Sequence, residues 1–154
     1  MAEKSCHHAC RQQAQNEFYQ FPALRFTGKV DDMRPFFNTS DVFISPFEEP
    51  HGSKLKIAEA MAMAMPIVST PQGIRGFDLT HAQSVMLARN SQEFAAYCIE
   101  LLNSSDQRER LGQAARQKAL ETIDWQVLGK KLRQIVEDTF ATLATSQNAT
   151  RNFK

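Results

Sequence analysis

Residues 51–70 read HGSKLKIAEAMAMAMPIVST, and this stretch decides the fold. Ala, Met, Leu and Ile dominate its first part, at a spacing that predicts a helix over 52–64. Pro66 cannot continue that helix, and the β-branched run that follows predicts a strand over 66–70. A helix feeding directly into a buried strand is the second half of a βαβ unit. Upstream, 41–46 read DVFISP, a continuous apolar run typical of a parallel strand covered on both faces. Downstream, 84–88 read SVMLA and predict another short strand. A further strand is expected at 24–28, where Leu24 and Phe26 alternate ahead of Gly28. Strands alternating with helices point to an α/β fold with a parallel, Rossmann-like sheet and right-handed crossovers. About four strands are expected, a thin sheet for this class.

Between the first two strands, MRPFFNTS predicts a short helix, with Asp31 and Asp32 at its start and Pro35 harmless in its first turn. Beyond 88 the chain reads as all helical. One helix begins with Ser91 as its cap and carries Phe94, Tyr97, Cys98, Leu101 and Leu102 on one face. A second begins with Ser105-Asp106 and turns Leu111, Ala115 and Ala119 inward. The last starts from Asp124 and bears a stripe of Trp125, Leu128, Leu132, Ile135, Val136 and Phe140. Residues 1–22 read as a poorly ordered lead-in, 23–142 as the folded domain, and 143–154 as a frayed polar tail.

The 154 residues suffice for one domain with an ordinary core, and the 42% hydrophobic, 23% charged composition is that of a globular chain. A formal charge of +1 gives no electrostatic case for nucleic acid. No apolar run approaches the roughly 20 residues of a membrane helix, and the N-terminus has no secretory core. A cytoplasmic location is expected, at most peripheral to the inner membrane face. SCHHAC offers Cys6, His7, His8 and Cys10 as zinc ligands, but structural zinc ligands come as two separated pairs, so no metal site is expected.

The tip of the 52–64 helix carries the chemistry. A helix N-terminus presents unpaired N–H groups and a partial positive charge, and in an open α/β sheet it lies at the carboxyl ends of the strands, where ligands bind. Gly52 lets a phosphate approach, Ser53 can cap, and Lys54 and Lys56 add charge. Cations in a first turn oppose the helix dipole and suit a bound anion. Against this, Gly-Ser is an ordinary helix start and two lysines an ordinary solvated face. Glu59 has Ile57, Ala58, Ala60 and Met61 around it in sequence, so its carboxylate is expected to be crowded and to need partners such as a ribose diol. A partly exposed acid paired with Lys56 is the alternative.

The ordered series GKVDDM, FFNTSDVFISPF and HGSKLKIAEAMAMAMPIVSTPQGIRGF resembles the C-terminal half of GT-B glycosyltransferases. More specifically, it is similar to the large retaining set called group 1 or family 4, over residues 24–140. The resemblance implies a nucleotide-sugar donor, UDP-, GDP- or ADP-linked, and no metal or other cofactor. It implies that Glu59 binds the ribose hydroxyls and that amides near Ser53, Lys54, Leu55 and Lys56 cradle the diphosphate, with Gly52 beside them. Val30 and Asp32 match the loop that meets the base, and residues 74–76 a loop near the cleft.

Three departures stand out. Many members carry a glutamate eight positions before the ribose glutamate; here that position is His51, a candidate contact to the sugar or phosphate. Where the family usually has Gly at the helix exit, this chain has Ala64. The N-terminal acceptor domain and the opening strands of the donor domain have no counterpart, so the chain reads as a truncated piece of a longer enzyme. The expected function is the donor-binding part of a retaining glycosyltransferase that moves a sugar to an acceptor hydroxyl, inactive without an N-terminal half. The alternative is a non-catalytic α/β interaction module that pairs through its C-terminal helices. A phosphate-sensing, response-regulator-like domain would need an acidic pocket with a lysine opposite, and only Asp31 and Asp32 offer it.

Overall fold

A computed structural model describes residues 23–25, 27–47 and 54–151, the stretch 143–151 by its backbone alone. The chain divides into two compact units, 1–33 and 34–154. In the first unit the described residues form no strand: Leu24 is exposed, and Gly28 turns the chain at a φ of +67°. The strand expected at 24–28 is therefore not found among them, and Phe26 lies outside the described residues. Alternating apolar residues make a strand only where a partner strand supplies the ladder.

Among the described residues, all the regular elements lie in the second unit. Their order is α1 (Arg34–Thr39), β1 (Phe43–Ser45), α2 (Leu55–Ala62), β2 (Ile67–Ser69), β3 (Met86–Leu87), α3 (Ser91–Asn103), α4 (Ser105–Thr122) and α5 (Trp125–Arg151). The three strands pair in parallel in the order β1-β2-β3, with Ile44 opposite Val68 and Val68 opposite Met86. This is a parallel, Rossmann-like sheet, with one strand fewer among the described residues than the sequence suggests. Only β2, the middle strand, is buried along its whole length. β1 ends the described sheet and leaves Ile44 54% exposed, so the coverage on both faces expected there is absent.

Val68, Met86, Leu101 and Leu111 form the core, with Val42, Phe94, Tyr97 and Cys98 packed partly against it. Burial pushes the Cys98 thiol up, which suits a packing residue rather than a nucleophile. Leu102, expected on the same face of α3 as Leu101, is exposed. The helix caps fall one residue earlier than expected. Asn90 caps α3, its Oδ1 accepting from the Glu93 N–H at 2.8 Å, and Ser104 caps α4, accepting from the Gln107 N–H at 3.3 Å. Arg108 ties these helices to the sheet. Its guanidinium donates to the Leu101 and Leu102 carbonyls at 2.8 and 3.0 Å and pairs with Asp41 at 3.2 Å.

α2 leaves through a Schellman turn. The Met65 N–H donates to the Ala60 carbonyl at 2.9 Å and the Ala64 N–H to the Met61 carbonyl at 3.1 Å. Ala64 takes the left-handed position, at a φ of +54°, where the motif prefers glycine. α4 crosses directly over this turn. A Cβ at Gly112 would collide with the Ala64 carbonyl, and Arg116 donates to the carbonyl of Ala62 at the end of α2. The contact is close because Ala60, Ala115 and Ala119 are all small and buried.

Two substitutions check this arrangement by urea unfolding. Ala64→Gly relieves the left-handed alanine and is expected to stabilise by about 1 kcal/mol. Gly112→Ala drives a methyl into the turn and is expected to destabilise by about 1–3 kcal/mol.

Candidate functional site

Because the strands are parallel, their carboxyl ends share one edge, where Ser45, Ser69 and Leu87 stand in one row. Hydroxyls fasten the exits of β1 and β2 together. The buried Ser69 Oγ donates to the Ser45 carbonyl at 2.9 Å. One residue on, the Thr70 hydroxyl donates to the Phe47 carbonyl and accepts from the Gly73 N–H at 3.0 Å. The loop after β2 folds tightly over this edge, because a Cβ at Gly73 would meet the Ser69 hydroxyl and the Ser45 carbonyl. Ile74 is buried, Arg75 exposed, and Gly76 adopts a φ of +99°. The Ser45 hydroxyl is buried at the same edge with no hydrogen-bond partner among the described residues.

A cavity of about 320 Å³ opens beside this edge, lined by Pro46, Thr70, Arg89, Asn90, Ser91, Phe94 and Ala95. None of these was a candidate from the sequence. The signal available is the polar Arg-Asn-Ser run directly after the β3 strand, a position that parallel topology always delivers to the ligand edge. Asn90 and the Glu93 carboxylate, which accepts from the Arg89 N–H at 2.8 Å, hold that corner of the chain.

The predicted helix tip begins later than expected. Lys54 is the N-cap of α2 and gives no side-chain cap; its ammonium lies 5.7 Å from the Phe47 ring centroid, a cation–π contact that joins the helix start to the end of β1. Intrahelical bonding starts with the Ile57 N–H donating to the Lys54 carbonyl at 2.9 Å. Leu55 and Lys56 are exposed in that first turn. His51, Gly52 and Ser53 lie outside the described residues.

Glu59 is not crowded. Its side chain is 45% exposed and pairs with Lys56 at 3.3 Å. Ile57, Ala60 and Met61 make the buried face of α2, and Glu59 projects from another. It lines a second groove of about 360 Å³, between α2, α4 and the start of α5, together with Arg116, Asp124 and Trp125. Glu59 and the strand-edge cavity thus belong to two separate openings. Val30, half-buried, and Asp32, exposed, belong to the first unit. Cys6, His7, His8 and Cys10 lie outside the described residues, and among those described no group of three His, Cys, Asp or Glu stands close enough to hold a metal.

A glycine-bearing loop thus closes over the carboxyl edge of a parallel, Rossmann-like sheet. The sequence model of the family described as glycosyl transferases group 1 matches residues 4–104. The chain belongs to this family. The match begins well before residue 24, so it also covers most of the lead-in that the motif resemblance leaves out. Spore coat protein SA of Bacillus subtilis (strain 168) is 29% identical over 114 residues, 71% of this chain and 30% of its own length. The sucrose-phosphate synthase of Thermosynechococcus elongatus superposes with a TM-score of 0.73 at 18% identity, over 89% of this chain and 35% of its own. The C-terminal domain of a glycosyl transferase group 1 family protein (LpcC) from Francisella tularensis gives 0.60 at 14% identity, over 76% and 64%. This glycosyl transferase domain therefore spans about a third of the length of the first two. No helix among its described residues is long and apolar enough to cross a membrane.

The hydroxyl fastening is expected to hold the site edge in place. Ser69→Ala removes the donor to a buried carbonyl and should lower stability by about 1–3 kcal/mol, read as a reduced urea midpoint.

Proposed function

We propose that this chain is the donor-binding part of a retaining glycosyltransferase, taking a nucleotide sugar and passing the sugar to an acceptor hydroxyl. One observation carries the reading. α2 opens at the carboxyl edge of the sheet with a lysine at its N-cap, and no side chain among the described residues is spent on its first-turn amides. Those amides, with Lys54 and Lys56, supply what a diphosphate needs, and the same positions match the family's diphosphate cradle. As the bond to the anomeric carbon breaks, charge grows on the departing diphosphate, and fixed N–H dipoles stabilise it there. Glu59 accepts from the ribose hydroxyls, exchanging its half-exposed contact with Lys56 for two donors. Val30 and Asp32 meet the base, and His51 meets the sugar or a phosphate oxygen. No side chain is assigned as a nucleophile. The acceptor is held by a further domain or chain facing this one.

Calorimetric titration with UDP, GDP and ADP tests the reading. Weak binding of one of them is expected, with no sugar transfer by the 154-residue chain alone. Glu59→Gln should weaken that binding by about 10-fold or more, the worth of hydrogen bonds to a charged acceptor. The Lys56–Glu59 pair is half-exposed, so the same substitution should change stability by at most about 0.5 kcal/mol, which separates a lost contact from a lost fold. Binding to none of the three nucleotides, or equal binding by Glu59→Gln, would overturn the assignment. Sugar transfer by the chain alone would overturn the need for a second domain.

A further inference from the structure

The two lysines at the start of α2 are held differently. Lys56 pairs with Glu59 at 3.3 Å, so a carboxylate already meets its charge. Lys54 pairs with no carboxylate among the described residues, and its ammonium stands 5.7 Å from the centroid of the Phe47 ring. A lysine at a helix N-terminus opposes the dipole, and its flexible four-carbon stem lets it swing away. An aromatic face works against both tendencies, because it attracts the cation and gives it one place to stand. It does so without supplying a lone pair, so the ammonium keeps its N–H donors for an anion. We propose that Phe47 is a positioning residue for the donor's diphosphate: its ring stations the Lys54 ammonium at the tip of α2 before the ligand arrives. This inference rests on the diphosphate reading of that tip. The backbone that carries the ring is itself anchored. The Phe47 N–H donates to the Ser45 carbonyl at 3.0 Å, and the Phe47 carbonyl accepts from the Thr70 hydroxyl. That hydroxyl accepts in turn from the Gly73 N–H at 3.0 Å. The exits of β1 and β2 together therefore fix where the ring stands, although Phe47 is 43% exposed. A stationed ammonium loses less freedom on binding than a swinging one, which is the gain from preorganisation.

Calorimetric titration of the full chain with UDP, GDP and ADP tests it, together with the Lys54 side-chain NMR signals. The ring current should move the Lys54 ε-methylene protons upfield of those of the other lysines, and Phe47→Leu should abolish that shift. For a nucleotide that the wild type binds, Phe47→Leu should weaken affinity by about 3-fold, the worth of an exposed cation–π contact. Phe47→Tyr keeps the aromatic face and should bind as the wild type does. In a Lys54→Met background Phe47→Leu should cost nothing further, since the ring acts only through that ammonium. Several results overturn the positioning role and leave the diphosphate reading standing: no upfield shift, full affinity in Phe47→Leu, reduced affinity in Phe47→Tyr, or an equal loss with and without Lys54. A wild type that binds none of the three nucleotides overturns the diphosphate reading, and this role with it.

Discussion

The left-handed exit at Ala64 is the constraint on which the rest of the second unit depends. It turns α2 through the Schellman hydrogen bonds into Pro66 and β2, and so sets where β2, buried along its whole length, begins. α4 can lie over that turn only because Gly112 has no side chain. The two features need each other: a larger residue at 112 would lift α4, and a different exit would move the Ala64 carbonyl into its path. Arg116 adds a favourable charge at the same helix end, where carbonyls carry the negative pole. An alanine in this conformation costs on the order of 1 kcal/mol relative to glycine. The packing around it retains the geometry all the same.

Much of this architecture could be read from the chain. The positions of α1, β1, α2, β2, β3 and the three C-terminal helices follow from periodicity and from Pro66, because a buried β-branched run and a helical stripe leave different spacings. Ala64 was legible as a departure, and its geometry persists. What failed did so for identifiable reasons. Neighbours in sequence are not neighbours on a helix face: Glu59 sits among Ile57, Ala60 and Met61 along the chain, yet those three occupy the buried side and the acid does not. Caps slipped by one residue because Asn90 and Ser104 are as competent as the serines after them, and reach to the third amide decides between them. Ile44 shows that an apolar run identifies a strand but not its cover, which belongs to the neighbours. The cavity at Arg89–Ser91 is assembled from three segments far apart in sequence, so no single motif announces it.

At the ligand edge, electrostatics and packing divide the work. Ser69, Thr70 and Gly73 hold the strand exits through hydroxyl and amide contacts that leave the edge rigid without adding charge. Arg89 brings positive charge to the cavity at this edge, and Lys54 and Lys56 stand at the start of α2. Lys54 stands over the Phe47 ring, and no carboxylate among the described residues pairs with it. A cation stationed by a cation–π contact costs little of its own field and remains free to attract an anion. A lysine at a helix N-terminus opposes the helix dipole, and an anion bound there would relieve that conflict.

α5 poses the complementary problem, order without cover. Its helical hydrogen bonds are local, and its flanks contribute Arg133–Glu137 and Gln134–Asp138 contacts four residues apart. Such pairs add a few tenths of a kcal/mol each, enough to bias a helix of this length but not to account for six apolar side chains held in water. Sequences that only needed a solvated helix would place polar residues at those positions, as α4 does on its outer face. Trp125, Leu128, Leu132 and Ile135 keep the three- and four-residue spacing of one apolar helix face. Trp125 lies at the head of that stripe and on the rim of the Glu59 groove at once. Whatever covers α5 therefore lies next to the acid assigned to the ribose, and covering the stripe would deepen the groove that Glu59 lines.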